Sequence, residues 1–325
     1  MLGNEEIKQH FKNAINSDKV SHAYIFNGEK GIGKKTIARE FAMALQCEVY
    51  SGEACMKCHS CLQALSKNHP DIIWVTHEKP NSIGVEDVRE QIINDIQIKP
   101  YNSRYKIYII DEATKLTPAA QNALLKTIEE PPEYGIILFL AENVNIFLQT
   151  ILSRCMVLNM KPLSNSVIRE YLMNNHETPD YQADLASIFS GGNLGKAIYL
   201  ASSEKFNEMR NDVTHFLKYI EEMEAYEVVD AVKHLSDYKV EILDYIDLMI
   251  IWFRDILLYK ATQDINNLLF KEEYSFIREQ SIKLTYSNIE KILKGIEKAK
   301  VRIKANVNFD LALELMFLEI KDNII

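Results

Sequence analysis

The sequence predicts an α/β domain built on a parallel sheet, continued by a small helical segment and then a larger all-helical one. Up to about residue 160, short β-branched or aromatic runs alternate with helical patterns: AYIF (23–26), DIIWV (71–75), KIYII (106–110), IILFLA (136–141) and CMVLNM (155–160). Near-continuous apolar strands separated by helices mark a parallel sheet covered on both faces. Beyond Ala201 there is no proline and a single glycine, Gly295, while Leu248, Ile251, Trp252, Ile256 and Tyr259 recur at helical spacing. Between these regimes Lys161-Pro162 interrupts the chain, Ser164 caps a helical stretch, and SGGNLGKA turns into another helix. The boundaries read as 1–160, 161–205 and 206–325.

A chain of 325 residues, 47% hydrophobic, has enough apolar material for two or three cores. A net charge of -9 excludes coating of nucleic acid through a basic surface. Any DNA contact is then local or shared with partners. The start MLGNEEIKQHFKNAI reads as polar and amphipathic rather than as a charged flank with an apolar core, and no window reaches the roughly 18 apolar residues of a membrane span. A cytoplasmic location with no membrane partner is the expectation.

Between the first strand and the first long helical stripe (Ile37, Ala38, Phe41, Ala42, Leu45) lies GEKGIGKKT. Gly28, Gly33 and Lys34 fit the phosphate loop G-x-x-x-x-G-K-[ST], with Gly31 inside it. A glycine turn opening a helix presents backbone N–H groups and the positive end of the helix dipole to phosphates, and Lys34 adds a point charge. Asp111 and Glu112, ending the strand IYII, are the candidates for holding magnesium and polarising a water. Lys35 stands where a metal-binding hydroxyl belongs, and an ammonium there repels a cation unless its stem turns away. Thr36 is rotated about 100° around the helix and does not inherit the position. The loop therefore keeps a cradle for ATP or ADP and loses one magnesium ligand.

Cys47, Cys55, Cys58 and Cys61 follow the spacing C-x7-C-x2-C-x2-C. Four thiolates close a tetrahedral zinc shell, so this insertion at 47–61 reads as a structural zinc site in a reducing compartment. His59 lies inside the cluster, where it is the one alternative ligand. Arg154, at the start of the last strand, reads from spacing alone as a surface arginine in a salt bridge. Its neighbour Cys155 reads as packed core.

The stretch from 105 to 155, with DEA, NALLKTIEEPP and SRC, closely resembles the clamp-loader branch of the AAA+ ATPases. The four-cysteine insertion is similar to that of the bacterial DNA polymerase III members, and NVNFDLALELMFL (306–318) resembles the end of their helical collar. The resemblance implies a RecA-like AAA+ module, a small helical lid and a collar. It also implies a subunit of a DNA-directed DNA polymerase holoenzyme, in a ring with gamma/tau-type and delta-type subunits that acts on a sliding clamp and primed DNA. In that family Arg154 reaches a neighbour's ATP in trans. Three nucleotide-sensing positions depart from the hydrolysing members: Lys35, the sensor region LAEN with Ala141 and Glu142, and Gly195 in place of the lid arginine. The pattern, and an end at the collar, resemble a member with little or no hydrolysis of its own. The alternative is an active gamma/tau-type ATPase, through Lys34, Asp111 and Glu112.

Overall fold

Five strands, β1 (Ala23–Asn27), β2 (Ile72–Val75), β3 (Lys106–Ile110), β4 (Gly135–Ala141) and β5 (Met156–Asn159), form one sheet in the order β2-β3-β4-β1-β5. Every pairing is parallel, as the apolar runs require. The structure, a computed structural model, describes residues 2–224, 226, 227, 232, 235–239, 241–305 and 307–324. Asn306, which opens the collar-like segment, lies outside the described residues.

Alternation along each strand feeds two cores. Tyr24, Phe26, Ile107, Ile109, Leu138 and Leu140 pack with α1 (Glu5–Asn16), α2 (Lys34–Gln46) and α3 (His59–Leu65). Phe11 of α1 stacks on Phe41 of α2, ring centroids 3.8 Å apart. On the other face Ile25, Tyr108, Ile110, Ile137 and Phe139 meet α4 (Val85–Val88), α5 (Pro118–Glu129) and α6 (Gln149–Leu152). Thr117 starts α5 by accepting the Ala120 N–H at 3.2 Å, with Pro118 pre-set for the first helical position. Burial on both faces is why these strands carry no polar alternation.

The chain divides into two compact units, Met1–Ile168 with Ser190–Lys196 and Arg169–Phe189 with Ala197–Ile325. The remaining helices are α7 (Asn165–His176), α8 (Asp180–Phe189), α9 (Leu194–Ser202), α10 (Glu204–Tyr219), α11 (Ile242–Thr262), α12 (Tyr274–Lys283), α13 (Tyr286–Lys304) and α14 (Phe309–Ile324). Leu248, Ile251, Trp252, Ile256 and Tyr259 are all buried, so the stripe on α11 is core. Gly295 permits α13 and α14 to touch, since a Cβ there would lie 2.7 Å from the Glu319 carboxylate. Trp252 donates its indole N–H to Gln280 Oε1 at 2.9 Å, and Gln280 donates in turn to the Leu217 carbonyl at 2.8 Å.

Asp255, fully buried on α11, accepts the backbone N–H groups of Leu269 and Phe270 at 2.7 and 2.8 Å. Burial pushes its carboxyl up to about 6, against the lowering pull of those donors. A folded-state value above the unfolded one means that the folded chain holds the proton more tightly. Stability therefore falls as pH rises from about 4 to about 6. Asp255→Asn removes this contribution: in urea unfolding across that window the variant gains on the parent by on the order of 2 kcal/mol with rising pH.

Candidate functional site

The phosphate loop leaves the carboxyl end of β1 and enters α2 at Lys34, as its sequence predicts. Gly31 and Gly33 have φ of 87° and 105°, the left-handed region that favours glycine. A Cβ at Gly33 would meet nothing within 4 Å, so the loop opens on a cavity. That cavity, about 340 Å³, is lined by Lys30, Gly31, Lys34, Lys35, Asp111 and Glu142, among others. Register explains the convergence: Asn27 lies opposite Ala141 and Ile110 opposite Phe139, so β1 and β4 end together and Asp111 follows β3 within two residues of that level. Ligand sites of open α/β sheets lie outside such carboxyl ends.

Lys34 is buried, and its ammonium donates to the Gly28 and Glu29 carbonyls at 2.5 and 2.9 Å. Burial lowers its pKa, opposed by Glu142, Asp111 and Glu29. Lys35 does not turn away from the site: its Nζ lies 2.5 Å from Asp111 Oδ2. Thr36 is exposed at the cavity wall. Glu112 sits in the left-handed region at φ 49° and accepts from Lys115 Nζ at 2.6 Å, with His77 Nε2 at 4.0 Å. The hydrogen bond from Lys115 lowers the Glu112 pKa, which makes it a poorer base. Ala141 is buried at the end of β4, and Glu142 is exposed beside the cavity. The loop fits a phosphate chain. The would-be magnesium ligands do not fit a metal, because Asp111 is paired to the Lys35 ammonium and Glu112 to that of Lys115.

Gly195 packs directly on the loop. Its N–H donates to the Gly31 carbonyl at 3.0 Å, and a Cβ at this position would lie 2.7 Å from the same oxygen. Asn193, buried, donates to the Lys30 carbonyl at 2.7 Å and accepts the Lys196 N–H at 3.1 Å. Glycine is therefore required at this position. Sequence reasoning missed Asn193; its signal was limited to a side chain able to cap the helix that follows.

Arg154 is exposed on the turn before β5. Its Nη2 pairs with Glu129 Oε1 at 2.9 Å, and Nη1 donates to the Thr150 carbonyl and the Ser153 hydroxyl at 3.0 and 3.1 Å. The salt bridge read from spacing is present. Gln121, also unforeseen, is buried and accepts the Leu148 N–H at 2.9 Å while donating to the Ile146 carbonyl at 3.3 Å. It fixes the entry to α6 and so the Arg154 turn. Cys155 packs against the core, and burial raises its thiol to about 12.

The Sγ atoms of Cys47, Cys55, Cys58 and Cys61 all lie within 4.8 Å of one another, a set able to hold a metal ion. Backbone N–H groups of Cys55, Cys58 and Cys61 point at the sulfurs of Cys47, Cys55 and Cys58 at 3.3–3.4 Å. N–H donors from Lys57 and Cys58 hold the Cys55 thiol down to about 6, while burial pushes Cys61 up. A buried thiol that resists ionising gains most from a cation beside it. His59 is exposed and outside the cluster.

The profile of the family described as DNA polymerase III, delta subunit, matches residues 3–164. DNA polymerase III subunit delta' of Bacillus subtilis is 26% identical over 314 residues, covering 95% of this chain and 94% of that protein. The chain belongs to the DNA polymerase III clamp-loader family. Its gamma/tau relative from Mycoplasma pneumoniae is 37% identical over 171 residues, but the match spans only 25% of that longer protein. Subunit tau of Bacillus subtilis is 28% identical over 340 residues, 96% of this chain and 60% of that one. The clamp-loader resemblance read from NALLKTIEEPP and SRC is borne out, and among the described residues no helix is long and apolar enough to cross a membrane.

The Gly195 contact yields a stability test. Gly195→Ala places a methyl group against backbone that cannot swing aside, and a loss of roughly 1–3 kcal/mol is expected in denaturant unfolding. An unchanged midpoint would show that Ser190–Lys196 does not hold the loop.

Proposed function

We propose that this chain is a delta-prime-type subunit of a clamp loader, with little or no ATP hydrolysis of its own, that supplies Arg154 in trans to the ATP of a gamma/tau-type neighbour. The carrying observation is a contrast within one module. In its own pocket Glu112 is engaged by Lys115 and Asp111 by Lys35. On its outer turn the Arg154 guanidinium is exposed, held by an ion pair that is itself half in solvent. Such a pair contributes about 1 kcal/mol or less and exchanges readily for a phosphate. Delta-type and gamma/tau-type partners, a sliding clamp and primed DNA complete the reading, with DNA contacts made mainly to phosphates within the ring. The helical region 206–325 acts as the collar, and the cysteines hold structural zinc. The cytoplasm is the corresponding location.

A gamma/tau-type ATPase is the second reading, favoured by Lys34, Asp111 and Glu112 lining one cavity. The two separate in a reconstituted loader. Arg154→Ala is expected to slow hydrolysis at the interface it faces by roughly 10³-fold or more, measured in single turnover, while the isolated chain shows no turnover above buffer. Hydrolysis by the isolated chain that is lost in Lys34→Ala would establish the second reading instead. For the zinc site, elemental analysis should find one zinc per chain. Its removal by a chelator, or Cys58→Ser, should lower the melting temperature by roughly 5 °C or more.

A further inference from the structure

We propose that the Lys35 ammonium takes the place of the divalent cation in this pocket, so that a nucleoside di- or triphosphate binds without magnesium. The inference rests on the reading that the pocket takes nucleotide, and it concerns what that nucleotide needs. In a magnesium-dependent phosphate loop, the residue after the lysine and the carboxylate at the end of the facing strand are the protein's two contributions to the metal. Here those positions are Lys35 and Asp111, and they are bonded to each other at 2.5 Å. The carboxylate that would hold a metal through its water shell already has a cation on it. A second, doubly charged cation would have to displace or crowd the first.

No other group in the cavity relieves that crowding. Lys30 and Lys34 also line it, and of the three acids there Glu112 is paired with Lys115 while Glu142 faces buried Lys34. Three lysines against three carboxylates leave the wall near neutrality, and a magnesium ion, which is held by one or two carboxylates with the phosphates, finds none of them uncommitted. The Lys35 side chain is 67% exposed, so its stem has room to move with the ligand. Set between Asp111 and a phosphate chain, the ammonium bridges anion to anion, the electrostatic task of the metal. It brings no open coordination position for activating water, which agrees with a pocket that binds and does not turn over.

The test uses the full chain and ATP competing with a ribose-labelled fluorescent ATP, once with magnesium and once with EDTA. Affinities equal within about twofold are expected for the parent. Lys35→Thr should weaken binding roughly tenfold in EDTA, the loss of one charge-assisted contact, and recover it when magnesium is added. Lys35→Met, which keeps the stem, should show the same loss without recovery. Asp111→Asn should bind in EDTA at least as well as the parent, because the ammonium has lost its competing carboxylate. Parent binding that weakens tenfold or more in EDTA would overturn the proposal, as would Lys35→Thr and Lys35→Met binding unchanged there. Absence of any binding at millimolar nucleotide in both buffers would reject the nucleotide pocket itself, and the proposal with it.

Discussion

Burial of β1 on both edges and both faces is the constraint from which the rest of the first unit follows. Ala23 through Phe26 are nearly or completely excluded from solvent, and the strand is paired to β4 on one side and β5 on the other. Each backbone polar group therefore needs its ladder partner, and the register has no freedom to slip by one without turning Tyr24 and Phe26 into the wrong core. With the register set, the chain leaves β1 level with the end of β4 and within two residues of the end of β3. The phosphate loop, Asp111 and Glu142 come together because the strands beneath them are packed. No attraction between the three is needed to assemble them.

What happens at that edge is a closing of charges on one another. Lys35 takes Asp111, Lys115 takes Glu112, and Lys34 turns its ammonium into carbonyls of its own loop. The departures at Lys35, Ala141-Glu142 and Gly195 each have a physical partner here. Glu142 favours the charged form of buried Lys34 against the cost of its burial. Gly195 gives up a side chain and gains a hydrogen bond to Gly31 at a separation that no Cβ permits. In the proposed reading the pocket is refitted: its shape for phosphate is kept, while Asp111 and Glu112 are engaged by lysines.

The legible part of the structure is the part written in local periodicity. All five predicted strands form within one residue of their expected ends, because apolar runs are a short-range signal. The cysteine cluster was legible for the same reason, since its ligands lie within fifteen residues of one another in sequence. Contacts between distant segments were not. Asn193 and Lys30 are 163 positions apart, and nothing about an asparagine after two glycines says which carbonyl its amide will find. Glu129 was visible inside NALLKTIEEPP, but its pairing with Arg154 depends on where β4 returns the chain. The direction of Lys35 was equally hidden: spacing gives its place on the helix, and only the end of β3 gives the carboxylate it meets.

Arg154 joins two readings that first looked opposed, a surface salt bridge and a residue acting on another subunit's nucleotide. Glu129 closes the C-terminal end of α5, where the helix dipole is negative and Glu130 adds a further acid, so a cation beside it is favoured on electrostatic grounds alone. The guanidinium meets that need while staying about 40% exposed, with three of its donors used and others left over. A single exposed carboxylate holds it weakly, and a triphosphate carries several times the charge on a rigid set of acceptors. The pair with Glu129 thereby orders the arginine in the free subunit without binding it so firmly that a neighbour's phosphate fails to compete. In the proposed role, the salt bridge and the trans contact are two occupancies of the same fork.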